Sequence, residues 1–211
     1  MVDTSSTKFI KHCYYGEVDK VRAKLSGPKT KSFDVNARTK TKLTPFIISC
    51  LKGHMEIVNL FILNAKRLGI DLNATDEGHW SGLRFAVSEG HMNIVKRLTE
   101  NDVDIDFNSR SSKGSTPIMI ACLDGRIDMV NHFIEIKEAK SIDFSVRDED
   151  GETAFHYACG SKNKDVIKVL INMSEALGLD LDQENEDGET GFDILPRYLR
   201  ESLGAKRPRV G

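Results

Sequence analysis

One sequence pattern recurs at nearly constant spacing along this 211-residue chain and limits the folds that it can adopt. The pattern is clearest from Thr44, where Thr-Pro-Phe-Ile is followed nine residues later by Gly53. Successive steps of 37, 37, 35, 37 and 37 residues join its threonine or serine markers, which are Thr7, Thr44, Ser81, Thr116, Thr153 and Thr190. Regular self-similarity predicts a repeat protein, in which each repeat packs only against its neighbours.

A second marker keeps the same spacing. It is an acidic residue followed two positions later by a short polar residue, at Asp34-Val35-Asn36, Asp71-Leu72-Asn73, Asp106-Phe107-Asn108, Asp143-Phe144-Ser145 and Asp180-Leu181-Asp182. Two independent markers with one spacing are not expected by chance. The repeats therefore cover most of the chain.

Each repeat predicts two helices. Thr44 can cap the first helix, and Pro45 suits its first helical position, where a missing N–H costs nothing. Gly53 supplies a left-handed stop, and the apolar stripe from Met55 onward predicts a second helix that Gly69 ends. An extended, turn-rich connection follows.

These motifs resemble the ankyrin repeat, whose TPLHxA-type helix start and pair of helices match the pattern. The residues that carry the resemblance are Thr44-Pro45-Phe46-Ile47, Gly53-His54-Met55-Glu56-Ile57-Val58, Asp71-Leu72-Asn73, Gly90-His91-Met92-Asn93-Ile94-Val95, Thr116-Pro117-Ile118-Met119-Ile120-Ala121 and Asp150-Gly151-Glu152-Thr153-Ala154-Phe155-His156-Tyr157-Ala158. The resemblance implies an all-α solenoid of stacked helix-turn-helix repeats with projecting β-turn or hairpin loops, here called fingers. It also implies that His156 hydrogen-bonds between neighbouring turns.

The resemblance divides the chain as follows. An N-terminal tail 1–6 precedes an ankyrin domain 7–204, and a basic C-terminal tail 205–211 follows it. The domain comprises repeats at 7–40, 41–77, 78–112, 113–149 and 150–186, and a partial cap at 187–204.

Two departures from the family pattern carry predictions. The spacing here is mostly 37 rather than 33 residues, and the extra residues fall between Val58 and Asp71, so they should lengthen the second helix by about one turn. Lys162 stands where the other repeats have a turn glycine, so a different helix-to-helix turn is expected there.

Composition narrows the class of protein. A hydrophobic share of 39% and a charged share of 29% are typical of a soluble globular chain. No apolar run is long enough to span a bilayer, and the N-terminus lacks the order of a secretory signal. We expect a cytoplasmic protein that does not bind membranes. Nuclear residence is the alternative, for which Lys206-Arg207-Pro208-Arg209 is the only hint.

No catalytic or metal-binding motif is present, so neither an enzyme nor a cofactor is predicted. The four cysteines, Cys13, Cys50, Cys122 and Cys159, each lie six residues after a marker threonine. One register implies one environment, and we expect buried, reduced thiols. His54 and His91 follow turn glycines and are expected to face the surface.

Candidate partner-binding residues fall into two groups. One lies just before each turn glycine, on the inner side of the array: Tyr14, Tyr15, Leu51, Lys52, Ser88, Glu89, Leu123 and Asp124. The other lies in or beside the fingers: Lys40, Lys42, Trp80, Glu149 and Glu152. Trp80 is either buried against the next repeat or an exposed anchor, since Trp is enriched in binding hot spots. Arg84 replaces the motif histidine and points into the groove or pairs with an acid.

Charge is uneven along the chain. Residues 1–75 carry 13 Lys and Arg against 6 Asp and Glu, a net +7, and the remainder carries −9. A groove with a basic and an acidic end would orient a partner, and the acidic end would repel nucleic acid.

We therefore expect a monomeric, non-catalytic module that binds a protein partner in the concave groove of its ankyrin array. Two alternatives stay open: an architectural segment of a larger protein, and a nuclear regulatory cofactor.

Overall fold

The computed structural model describes residues 4–27, 33–100 and 103–204. Contacts divide the chain into two compact units, Met1–Asp106 and Phe107–Gly211. Both units are built from short helices, and the β pairing among the described residues is limited to two isolated bridges, Thr75–Ser81 and Glu184–Thr190. The predicted all-α fold class is confirmed.

The described part of the first unit contains three helix pairs. Their bounds are α1 Thr4–Tyr14 with α2 Val18–Ser26, α3 Pro45–Leu51 with α4 Met55–Leu68, and α5 Gly82–Ser88 with α6 Met92–Leu98. The first helices pack side by side, α1 on α3 and α3 on α5, and the second helices do the same, α2 on α4 and α4 on α6. Successive pairs therefore stack in register.

The second unit repeats the arrangement. Its helices are α7 Pro117–Leu123, α8 Ile127–Glu135, α9 Lys137–Lys140, α10 Ala154–Ser161, α11 Lys164–Asn172, α12 Ser174–Leu177, α13 Gly191–Ile194 and α14 Arg197–Ser202. Helix α10 packs between α7 and α13, and α11 packs on α8. The short helices α13 and α14 occupy the segment in which the sequence predicted a partial cap.

The second helix is longer where the sequence has extra residues. Helix α4 has 14 residues, whereas α6, in the repeat that is two residues shorter, has 7. In the second unit α8 and α11 are instead continued by the four-residue helices α9 and α12. The predicted lengthening is therefore observed in α4, whereas in the second unit the extra residues form a separate short helix.

From Thr44 onward the recurring threonine and serine markers are helix N-caps, whereas Thr7 lies within α1. Thr44 Oγ1 accepts a hydrogen bond from the N–H of Ile47 at 3.2 Å, and Ser81 Oγ accepts one from the N–H of Arg84 at 3.4 Å. Both satisfy donors that the first helical turn leaves without an intrahelical partner.

The turn between paired helices keeps one conformation throughout. Gly53 has φ +73°, and Lys162 occupies the equivalent position with φ +60°. The prediction that Lys162 changes this turn is therefore wrong. The left-handed conformation costs an L-residue about 1–2 kcal/mol, so the surrounding packing must impose it.

The acidic-polar marker ties one repeat to the next. Asp34 Oδ1 accepts the N–H of Asn36 at 2.9 Å and so fixes a local turn. The Asn36 amide then donates to Gly69 O at 2.7 Å and accepts the N–H of Asp71 at 3.1 Å. The same pair of contacts joins Asn73 to Asp104 and Asp106, and Asn108 to Ser141 and Asp143.

Apolar side chains at equivalent positions form the core of each unit. The buried ring of Phe61 lies edge-on to Phe9 and Phe46, with centroids 6.1 and 6.0 Å apart. All four cysteines are buried free thiols, as expected from their shared register. Contacts of this kind, repeated from pair to pair, supply the main stabilising term.

The chain begins its first helix earlier than the sequence suggested. Helix α1 starts at Thr4, and the buried Ser6 Oγ accepts the N–H of Asp34 at 2.9 Å. Assigning 1–6 to a tail is therefore wrong for residues 4–6, because Ser6 is needed for packing. The proposed basic tail 205–211 lies outside the described residues. None of the helices in the described ranges is long and apolar enough to cross a membrane.

Candidate functional site

The inner-side positions of the first unit lie at the C-terminal ends of α1, α3 and α5. His54 Nε2 donates to Tyr14 O at 3.1 Å, and His91 Nε2 donates to Leu51 O at the same distance. Each bond therefore joins the start of a second helix to the end of the first helix in the preceding repeat.

The two histidines play a part that the sequence did not reveal. A Cβ added at Gly53 would lie 2.7 Å from the ring of His91, and one at Gly16 equally close to His54. The two rings therefore pack over the turn of the preceding repeat. The sequence had predicted that they would simply face the surface. In the second unit Asn163 takes this role and donates to Gly125 O at 3.0 Å.

Two tyrosines and a lysine come together on the inner side. Tyr14 and Tyr15 are 47% and 70% exposed, with ring centroids 5.1 Å apart. The Lys52 Nζ lies 4.5 Å from the centroid of the Tyr14 ring, within range of a cation–π interaction. We call Tyr14, Tyr15 and Lys52 the tyrosine–lysine patch. Leu51, which precedes Lys52, is half-buried.

The remaining inner-side positions are also accessible. At the end of α5, Ser88 is half-buried and Glu89 is exposed. In the second unit Leu123 is 45% exposed, and the Asp124 carboxylate lies 3.8 Å from Arg126 Nε. Within each unit, the candidate residues that precede the turn glycines therefore remain at least partly exposed to solvent.

Trp80 fits neither sequence-based alternative completely. Its half-buried ring lies against Phe85, with centroids 5.2 Å apart, and 5.3 Å from the Arg84 guanidinium carbon. The indole thus packs on the helix of its own repeat and leaves part of its surface exposed.

Arg84 is fully buried, so predicting it as a partner-contacting residue is wrong. It occupies the third position of α5, and this position faces inward in the fifth repeat also, where His156 is 1% exposed. There Nδ1 accepts the N–H of Thr153 at 3.2 Å, and Nε2 donates to Glu189 O at 3.1 Å. The bond between turns that the resemblance implied for His156 is confirmed.

Among the described residues the fingers are five short hairpin turns. In each, the N–H of the first residue donates to the carbonyl of the fifth: residues 39–43, 76–80, 111–115, 148–152 and 185–189. In the first finger Lys40 and Lys42 are exposed. In the fourth, Glu149 is exposed and Glu152 is half-buried.

Neighbouring fingers within a unit are tied together. The Glu77 N–H donates to Thr41 O at 3.2 Å, and the Arg38 guanidinium donates to Thr75 O at 2.7 Å. In the second unit the Glu149 N–H donates to Lys113 O at 3.0 Å. These hydrogen bonds fix the position of each finger relative to its neighbour in the same unit.

The buried carboxylate of Asp148 stabilises the fourth finger from within. Asp148 is 9% exposed and accepts the N–H of Glu152 at 2.8 Å and the hydroxyl of Tyr157 at 2.7 Å. Burial, and then the nearby Asp148 and Asp150, raise the pKa of Glu152 above its ordinary value.

Within the described ranges, no group of three or more His, Cys, Asp or Glu side chains is placed to hold a metal ion. The arrangement of the site offers exposed aromatic, aliphatic and charged side chains on a hydrogen-bonded framework.

Comparison with known families agrees with this architecture. The family model for ankyrin repeats, described as three copies, matches residues 9–109 and 83–185. No curated protein matches the chain. Ankyrin repeats are generally protein–protein interaction modules, and the family is typically non-catalytic. The matched residues contain most of α1, the helices from α2 to α12, the first four fingers and all of the candidate site residues. The chain therefore belongs to the ankyrin-repeat family.

Proposed function

We propose that this protein is a non-catalytic module that binds a protein partner through the ends of its first helices and its fingers. The observation that carries the proposal is the tyrosine–lysine patch. Exposed tyrosines present large apolar surfaces with a polar end, and such residues are enriched where proteins bind one another. A monomeric state and cytoplasmic residence belong to the same proposal.

The rigid setting of the patch supports this function. Tyr14 ends a helix whose last carbonyl is held by His54, and Lys52 ends the next helix. A surface that is already ordered pays less conformational entropy on binding, so more of its contact energy appears as affinity. The tied fingers are preorganised in the same way.

Affinity capture with matched variants tests the proposal. The patch variant combines Tyr15→Ala with Lys52→Glu. The control variant combines Leu63→Ala with Lys66→Glu on α4, where Leu63 is 73% exposed and Lys66 is exposed. Both variants remove one exposed apolar side chain and reverse one lysine.

We expect wild type and control to capture the same protein partner and the patch variant to lose it, with all three giving the same circular dichroism and Tm. Capture that is unaffected by the patch variant, or that is lost only from the α4 control, would contradict the proposal.

A further inference from the structure

We propose that the first unit recognises an acidic peptide segment that also carries an apolar side chain. This inference rests on the proposed function and specifies the chemistry of its partner. Its starting point is the charge of the inner side in that unit.

Positive charge is concentrated around α3. Residues 35–55 contain Arg38, Lys40, Lys42 and Lys52 and no Asp or Glu. Lys40, Lys42 and Lys52 are exposed, and within the described residues none of the three takes part in an ion pair. Their charges are therefore available to a ligand, and carboxylates are the complementary group on a protein.

The positions of these lysines indicate how far apart the acidic residues of the peptide should be. Lys42 lies just before α3 and Lys52 just after it, and α3 has 7 residues. A helix of that length is about 10 Å long. An extended peptide rises about 3.3 Å per residue, so roughly three to four residues would separate carboxylates that contact both ends.

The tyrosines add a contact for an apolar side chain. The Lys52 ammonium group lies over the Tyr14 ring, so the cation–π contact favours a position next to the tyrosines. Tyr15, at 70% exposure, leaves most of its ring open to a ligand. A carboxylate at Lys52 would bring the neighbouring side chain of the segment against Tyr15, where apolar contact stabilises the complex.

Flanking acids favour a short peptide over a nucleic acid. Glu77 in the next finger and Glu89 at the end of α5 are exposed, one repeat beyond the lysines. A polyphosphate backbone continuing past α3 would meet these carboxylates and be repelled. A short segment can place its acids at the lysines alone.

Selection from a random 12-residue peptide display library against the full chain tests the inference. We expect enriched peptides to combine two or more acids, three to four residues apart, with an aromatic or aliphatic residue. Fluorescence polarisation of an enriched peptide should show about a tenfold weaker Kd for Lys42→Glu with Lys52→Glu. The control, Lys66→Glu with Lys96→Glu, makes the same charge change at exposed residues of the second helices and should leave Kd unchanged.

The outcomes separate this inference from the proposed function. Enriched peptides that are neutral or basic, yet lost with Tyr15→Ala and Lys52→Glu, would overturn the acidic-segment inference and leave the binding function in place. Tighter binding of a single-stranded 12-nucleotide RNA than of any enriched peptide would also overturn it. Failure to enrich any peptide, together with capture that the patch variant does not affect, would refute both.

Discussion

The cysteine thiols occupy the most protected positions in each unit. Burial raises the pKa of Cys13 and of Cys159 to about 12, from an ordinary 9.0, and raises that of Cys50 and Cys122 as well. Since the thiolate is the reactive form, a rise of three units lowers its population at pH 8 by about a thousandfold. The folded protein should therefore be almost inert toward thiol reagents.

Titration with a chromogenic disulfide reagent at pH 8 checks this prediction. We expect well under one thiol to react within minutes in buffer and all four to react at once in guanidinium chloride. Rapid reaction of even one thiol in the folded protein would show that this cysteine position is accessible to the reagent.

His156 should make stability fall on the acid side of neutrality. Burial lowers its pKa below the ordinary 6.5, because it disfavours the charged imidazolium. Protonation would also remove the acceptor that Nδ1 offers to the Thr153 N–H. Well above pH 6.5 the histidine is neutral in both states and adds no pH dependence. Below that pH the unfolded chain takes up a proton that the folded chain resists, so the free energy of unfolding falls, by at most about 1.4 kcal/mol per pH unit.

Urea unfolding of wild type and His156→Gln at pH 7.5 and pH 5.5 measures this contribution. Wild type should lose more of its free energy of unfolding between the two pH values than the variant does. Equal losses would mean that the proton of His156 is not linked to folding.

Single residues were also where sequence reasoning failed most clearly. Arginine is rarely fully buried, so no composition rule predicts an Arg84 with no exposed surface. The acceptors of His54 and His91 are main-chain carbonyls of the preceding repeat, and nothing in a single sequence marks which carbonyl a histidine will meet. The recurrence of histidine directly after Gly53 and Gly90 was the available signal.

At the scale of elements, the asparagine ladder between repeats has one gap. Asn36, Asn73 and Asn108 each bond to the next repeat, but Ser145 occupies the equivalent position in the fourth connection. Its hydroxyl reaches only Asp143, at 2.6 Å. Ser145→Asn should add contacts to Gly178 O and the Asp180 N–H, and raise the free energy of unfolding by about 0.5–1.5 kcal/mol.

Thermal unfolding provides the comparison. Ser145→Asn should raise the Tm, and Asn108→Ser should lower it by a similar amount, because the second change opens the same gap one repeat earlier. A lower Tm for Ser145→Asn would show that the ladder does not extend to the fifth repeat.

Alanine substitutions at two glycines test how closely neighbouring fingers pack: Gly151 lies in the fourth finger and Gly178 at the end of α12. Gly151 and Gly178 have φ +75° and +68°, so alanine carries similar backbone strain at both. A Cβ at Gly151 would also lie 2.6 Å from Arg147 Nη2 and 3.1 Å from the Glu186 nitrogen, whereas one at Gly178 meets nothing within 4 Å. Gly151→Ala should therefore destabilise by about 1 kcal/mol or more beyond Gly178→Ala.

Denaturant unfolding of the two variants decides the point. If Gly151→Ala and Gly178→Ala destabilise the protein equally, the close packing of the fourth and fifth fingers does not contribute to stability.

Elements were the scale at which the sequence was most informative. Thr44, Pro45 and Gly53 act through local backbone rules, so the helix starts and turns could be predicted from them. The turn at Lys162 was missed because propensity disfavours lysine at φ +60°, and packing overrides that preference. The first helix was placed too late because the role of Ser6 depends on Asp34, a contact between residues 28 positions apart.

For the whole molecule, the repeated spacing was enough to predict the all-α ankyrin fold. It was not enough to single out the proposed binding surface from the other candidate residues. Exposure of Tyr14 and Tyr15 and the position of Lys52 over a ring depend on three-dimensional packing, which one sequence does not contain. The burial and hydrogen bonding of Asp148 likewise depend on packing and do not follow from charge counts along the chain.

Site-specific photo-crosslinking in cells tests the central claim most directly. A benzophenone amino acid is placed at Tyr15 in the tyrosine–lysine patch, where it keeps an aromatic ring, or at Lys66 on α4; both positions are exposed. We expect a discrete protein adduct from position 15 and none from position 66. An adduct only from position 66, or none from either position, would contradict a binding function for the patch.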